Sequence, residues 1–340
     1  MTSVRSSRAR RSHARRSHAR GGVALLAALW LVVMMTTAGL QFATVARERR
    51  QLGLTSADRS LDRAALEGVL AQVQARLEGE ERERRRTDAR RVATRRTVTL
   101  PDPWRDLPAR LANPLVLGDR AVSVRSIDLG TVVNVNLASE TELATLIESV
   151  IGQPEEATRL AQAMLDWRDG DTVARPRGAE AERYARAGLA VRPINGPFRS
   201  VDDLQDVWGM SPGRLAQLRP FLTVDGAVRR ININAAPAAV LRTLPGMTEP
   251  LLTAILALRN RGRRVESIPA LLSAVQTVGR AGSGEREALA RQLGDAVSLD
   301  VQDVAMALRI TEPQHATPAQ LVAVLHRNGD GTVEVGARRW

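Results

Sequence analysis

Three carboxylates fall within six residues in Leu165-Asp166-Trp167-Arg168-Asp169-Gly170-Asp171, and two more follow in Gly178-Ala179-Glu180-Ala181-Glu182. Hard oxygen ligands of this kind suit Ca²⁺, which takes roughly six to eight oxygens at about 2.3–2.6 Å. The candidate metal ligands are therefore Asp166, Asp169, Asp171, Glu180 and Glu182. The spacing is not that of an EF-hand, and the same residues also read as a solvated loop rich in turn formers. Cysteine is absent, which removes disulfides, thiolate metal sites and cysteine catalysis without choosing a compartment.

Covalent chemistry finds little support elsewhere. Gly209-Met210-Ser211-Pro212-Gly213 has the spacing of a nucleophile elbow, but that motif needs a buried strand running into the turn, and a helix precedes it here. Pro212 behind Ser211 fits the first turn of a capped helix instead. Only His315 and His326 lie outside the basic leader, so no general-base constellation is evident and the chain does not read as an enzyme.

Two turns, Val207-Trp208-Gly209-Met210-Ser211 and Leu244-Pro245-Gly246-Met247-Thr248, resemble those of helix-hairpin-helix domains, whose backbone N–H groups cradle phosphate. Gly209 and Gly246 would be the nucleic-acid contacts on that reading. Ser or Thr stands where a second Gly belongs, and a Cβ there hinders close backbone approach. The net charge of +12 is no DNA signature either. Seven Arg occupy residues 1–22 without one acid, and 12 less 7 leaves +5 for the rest.

The elements that position these residues begin with a membrane signal. Residues 23–42 are strongly apolar and free of charge, and about 20 residues at 1.5 Å span roughly 30 Å of bilayer. The Arg-rich flank should stay in the cytoplasm, which puts the body outside. A secretory signal cut after Thr44-Val45-Ala46 is the competing reading, although the apolar stretch exceeds the usual h-region. Ala57–Leu77 then has helical periodicity, Glu78–Arg96 reads as a frayed helix end or exposed linker, and 121–127 alternates as a strand. An internal repeat follows. Val133-Asn134-Val135-Asn136-Leu137-Ala138-Ser139 recurs 98 residues later as Ile231-Asn232-Ile233-Asn234-Ala235-Ala236-Pro237. Each copy opens a run of short helices, and 321–335 returns to strands as a hairpin around Asn328-Gly329.

The expected fold is α+β: a transmembrane helix continuing into an α/β domain, with an inserted all-α domain of short, helix-hairpin-helix or SAM-like hairpins. The boundaries are a leader at 1–22, the span at 23–42, helix, linker and first strands at 43–136, the insert at 137–290 and closing strands at 291–340.

Arg20-Gly21-Gly22 meets Val23-Ala24-Leu25-Leu26 without a spacer, as in the leaders of prepilins and pseudopilins. The fifth mature position is Ala27, where most of that family has Glu. With Leu165-Asp166-Trp167-x-Asp169-x-Asp171, Gly178-Ala179-Glu180, Tyr184, Phe198-Arg199-Ser200-Val201-Asp202-Asp203-Leu204, Trp208-Gly209-Met210 and Ile231–Pro237 in order, the sequence resembles the K-type minor pseudopilins of type II secretion. The resemblance implies a pseudopilin fold in the bacterial inner membrane, crossing once, with its body in the periplasm. It implies cleavage between Gly22 and Val23 by prepilin peptidase. The partners it implies are the major pseudopilin and the I- and J-type minor pseudopilins at the pseudopilus tip. It also implies calcium in the insert, although Ala181 stands where the family often has a second acid. The rival is a membrane-tethered helix-hairpin-helix receptor for DNA.

Overall fold

The computed structural model describes residues 17–94, 102–227, 230–275, 283–311 and 318–340, with the side chains of 17–27, 39, 43, 45–56 and 91–94 left aside. The leader and the expected cut at Gly22 and Val23 lie outside the described residues in whole or in side chain. Chain contacts divide the molecule into Met1–Leu61 and Asp62–Trp340, and helix α1 (Ser17–Thr94) contributes to both.

In the first unit, the described apolar side chains of α1, among them Leu29, Trp30, Leu31, Val32, Val33, Met34, Met35, Leu40 and Phe42, are all exposed. Consecutive positions on a helix of 3.6 residues per turn cover every face. The hydroxyls of Thr36 and Thr37 donate back to the Val32 and Val33 carbonyls at 2.8 Å, so neither needs a partner from outside the helix. Among the described residues no helix is long and apolar enough to cross a membrane, and the expected span begins on residues whose side chains are left aside.

The second unit is built on the rest of α1. Ala65, Leu66, Val69, Leu70, Val73 and Leu77 recur at helical spacing and bury one stripe. That stripe packs on an antiparallel five-stranded sheet in the order β1-β2-β7-β8-β9: β1 (Leu115–Leu117), β2 (Arg120–Asp128), β7 (Asp303–Ile310), β8 (Gln320–Arg327) and β9 (Val333–Arg339). Val122 of β2 faces Ile310, and the register carries through to Asp128 opposite Val304. Trp104 and the short helix α2 (Leu107–Arg110) close the end of this core.

The mixed-charge run after Leu77, expected to be frayed or linker-like, is helical to Thr94, and Glu81 within it is only 1% exposed. The reason lies far along the chain. Arg327 of β8 reaches Glu81 at 2.8 Å and Asp102 at 3.1 Å, while Arg84 and Arg85 approach the same Glu81 carboxylate. The helix is also stitched to the β8–β9 hairpin, with Gln74 donating to the Val333 carbonyl and Arg85 to that of Gly329, both at 2.8 Å. The hairpin turn differs from a two-residue Asn-Gly turn. Gly331 carries the positive φ of 88°, and Asp330 accepts from the Thr332 N–H at 2.9 Å.

Between β2 and β7 lies the helical insert. A short turn capped by Asp128 leads to β3 (Val133–Asn134), which pairs in parallel with β4 (Leu222–Thr223). Between them run α3 (Glu140–Ile151), α4 (Pro154–Arg168), α5 (Ala181–Arg186) and α6 (Pro212–Leu218). The second copy repeats the plan: β5 (Ile231–Asn232) pairs in parallel with β6 (Val297–Ser298). Around α7 (Ala238–Leu241), α8 (Glu249–Asn260), α9 (Ile268–Ala274) and α10 (Ser283–Ala296) it closes the same way. The two lobes share one core. The insert thus runs from Val133 to Ser298, wider than the expected 137–290, because each lobe begins and ends on a strand.

Burial pushes the Glu81 carboxyl up, but the guanidinium groups of Arg84 and Arg327 outweigh it and hold it below the ordinary 4.5. A depressed folded-state value means the stabilisation is present above the unfolded value and is lost as pH falls through the folded one. We predict that Glu81→Gln lowers stability by roughly 3 kcal/mol at neutral pH, because Arg327 loses half of its buried counter-charge. The deficit should narrow below about pH 4. Denaturant unfolding from neutral to acid pH measures this, and parallel curves for the two proteins would refute it.

Candidate metal centre

Helix α4 decides where the acidic residues go. It opens on Pro154 with Glu155 and Glu156 in its first turn, and it buries Leu160, Ala161, Met164 and Trp167 in the insert core. Asp166 shares that buried side and is 0% exposed. The helix ends at Arg168, whose guanidinium donates to the carbonyls of Val135 and, at 2.5 Å, Ala138. Asp169 and Asp171 therefore fall on the loop just beyond the helix end.

The chain returns through Arg175 and Gly178 to Glu180, which stands at the N-cap position of α5. The carboxylate oxygens of Asp169, Asp171 and Glu180 come within 4.8 Å of one another. Glu180 is 6% exposed, and neither of its oxygens has a hydrogen-bond partner. Asp169 Oδ1 is buried without one as well. Burial raises the Glu180 carboxyl above its ordinary value, and repulsion from Asp166, Asp169 and Asp171 adds to the rise. Three acidic groups held this close are an all-oxygen donor set short of positive charge.

The other two candidate ligands go elsewhere. Asp166 sits behind the cluster, accepting from Arg175 Nη1 at 2.6 Å and from the Arg175 backbone N–H at 3.2 Å. Glu182 is on the outer face of α5 and pairs with Arg186 at 2.6 Å. Two residues that the sequence motif did not single out, Arg175 and Asn195, complete the setting together with Gly178. Arg175 Nη1 also reaches Asp169 Oδ2 at 2.5 Å. Asn195, at a positive φ of 48°, donates to the Asp171 carbonyl at 2.5 Å. Gly178 lies so close to the Asp166 carboxylate that an added Cβ would overlap it.

An aromatic cluster backs the loop. Trp167 stacks on Phe198 at 6.3 Å and meets Tyr184 at 6.1 Å, and Tyr184 packs edge-on against Trp208 at 5.5 Å. The Tyr184 hydroxyl accepts from the Trp208 N–H at 2.6 Å. Burial pushes that phenol up to about 12.

This contact ties the acidic loop to the first hairpin turn. Gly209 and Gly246 both adopt positive φ, 81° and 74°, as tight turns require. Glu156 pairs with Arg214 beside the first turn at 2.8 Å, and exposed Glu249 opens the helix after the second. Glu249 pairs in turn with Arg242 at 2.8 Å, so an Arg–Glu pair stands at each turn. Ser211 caps α6 through the Arg214 N–H at 3.3 Å, which accounts for its hydroxyl.

A helix on an antiparallel sheet, with a duplicated helical insert between two sheet strands, defines a mixed α/β architecture that solved structures share. A chain of the crystal structure of the GspK-GspI-GspJ complex from the enterotoxigenic Escherichia coli Type 2 Secretion System superposes with a TM-score of 0.53 at 17% identity. The match covers 88% of this chain and 98% of that one. Residues 123–226, from within β2 through the first lobe, match the family described as Type II secretion system (T2SS), protein K. A search of curated proteins returned no match.

We predict that Gly178→Ala costs about 2 kcal/mol, since its methyl group must displace a buried carboxylate. Gly170, in the same loop with open space around it, supplies the control. Gly170→Ala should stay within about 0.5 kcal/mol of wild type. Equal denaturant midpoints for the two variants would refute the packing argument.

Proposed function

We propose that this chain is a minor pseudopilin at the tip of a periplasmic type II secretion pseudopilus, beside I- and J-type partners. The observation that carries the reading is the protein K match over 123–226, set in a fold common to a chain of the GspK-GspI-GspJ crystal structure. The role is mechanical. An apolar helix packs among other subunits, and a broad two-lobed head hinders the addition of subunits above it, so the chain starts or ends a filament.

Residues 23–42 serve as the membrane anchor and, after a cut at Gly22, as the packing helix. Support comes from the uncharged apolar stretch, the exposed apolar faces of its described turns and the internally satisfied hydroxyls of Thr36 and Thr37. The body then lies in the periplasm, opposite the Arg-rich leader. Mass spectrometry of the mature N-terminus from native membranes should give a chain starting at Val23. A start at Arg47 would refute the retained anchor, and an intact Met1 would refute processing as a pseudopilin.

Calcium occupies the acidic loop on this reading, held by Asp169, Asp171 and Glu180. The partnerless buried oxygens of Glu180 and Asp169 support it, as does the lack of nitrogen or sulfur donors in the set. When bound, the ion supplies positive charge that fixes the loop between α4 and α5, and no bond-making chemistry is assigned to it. Saturating calcium should raise the melting temperature of the full chain by several degrees, and Asp169→Ala or Asp171→Ala should abolish that rise. Unchanged stability on chelation would refute the site.

A further inference from the structure

We propose that Arg175 is the centre's own stand-in cation, which calcium must displace from Asp169 before the three-carboxylate site can close. The inference rests on the calcium reading above.

Arg175 Nη1 lies 2.5 Å from Asp169 Oδ2 and 2.6 Å from Asp166 Oδ1, so one nitrogen bridges a buried carboxylate and a ligand carboxylate. The backbone N–H of Arg175 also points at Asp166, at 3.2 Å. The residue is therefore anchored at its main chain to Asp166 and extends its side chain toward Asp169.

Charge counting shows why the bridge is provisional. Asp166, Asp169, Asp171 and Glu180 bring four negative charges together, and Arg175 returns one. It touches neither Asp171 nor Glu180, and the Glu180 oxygens stay buried without a partner. A divalent ion among Asp169, Asp171 and Glu180 answers all three, but it would share the Asp169 carboxylate with the guanidinium already on Oδ2. A guanidinium within bonding distance of a ligand carboxylate repels a doubly charged ion strongly at this range. The groups divide accordingly. Asp166 is the permanent seat of Arg175, and Asp169 is exchanged between guanidinium and ion.

Three consequences separate this from a structural ion pair. Arg175 stabilises the calcium-free loop, weakens calcium binding, and gives way on loading without releasing Asp166. Its neutral replacement should therefore bind calcium more tightly while being less stable without it.

The test uses the full-length chain in detergent, titrated calorimetrically with calcium chloride and melted with and without chelator. Arg175→Gln should bind calcium at least about tenfold more tightly than wild type. Its chelated form should melt below chelated wild type, and saturating calcium should close the gap. Arg175→Lys, which keeps the charge, should remain near the wild-type affinity. If Arg175→Gln folds only with calcium present and then binds it more tightly than wild type, the stand-in role is supported in its strongest form. Equal or weaker binding by Arg175→Gln, with wild type binding normally, overturns the role of Arg175 and leaves the calcium reading standing. If no form binds calcium, that reading fails and this inference with it.

Discussion

The insert hangs on the side-chain amides of its two Asn-x-Asn segments, because strands of two residues supply too few ladder hydrogen bonds to hold a lobe of helices. Asn136 accepts from the Phe198 N–H at 2.8 Å and donates to the Phe198 carbonyl at 2.9 Å. Asn234 does the same for the later loop, accepting from the Val265 N–H at 2.7 Å and donating to its carbonyl at 2.9 Å. Each amide thus replaces a strand neighbour. Arg168 and Arg259 finish the pattern by capping the free carbonyls of these segments, those of Val135 and Ala138 in one copy and Ala235 and Ala236 in the other. Buried backbone groups left without such partners would each cost about 1–3 kcal/mol.

The two copies then diverge where the insert must be fastened. Asn134 donates to the carbonyls of Asp225 and Gly226, at the end of its own lobe. Asn232 instead donates at 2.7 Å to Asp128, the last residue of β2, whose other oxygen accepts from the Gly130 N–H at 2.9 Å. Burial raises that carboxyl above its ordinary range. One copy closes a lobe and the other ties the insert to the sheet. The acidic centre belongs to the self-contained copy: Arg168 fixes the end of α4, so Asp166 is held inside and Asp169 just past the last turn. Tyr184 and Trp208 then carry that placement to the hairpin at Gly209. A change of charge at the loop therefore acts first on the first lobe.

Much of this was legible in the sequence where the signal is local. The repeat could be read because both copies keep their register over a few residues. The acidic cluster was just as local. What could not be read was which carboxylate faces which group. Asp166, Asp169 and Asp171 look alike as a motif, but helix phase sends Asp166 into the core and hands it to Arg175, a residue with no motif around it. Glu81 shows the limit most sharply. In a run of Glu and Arg it looks solvated, and the buried guanidinium of Arg327, 246 residues away, joins the local Arg84 and Arg85 on its carboxylate.

The sheet's edges bear on how such a head meets its neighbours. A free edge strand invites another chain to add a strand, and native sheets blunt that hazard with short or charged edges. Both edges here are blunted. The β1 strand is three residues long, and β9 ends in Arg338 and Arg339. Arg339 is further engaged with the Arg199 carbonyl at 2.6 Å and with Asp225 at 3.5 Å, which draws this edge toward the first lobe. Association by strand addition is thus disfavoured at either end of the sheet. Among the described residues, the longest run of exposed apolar side chains is the N-terminal part of α1, where consecutive residues cover every face.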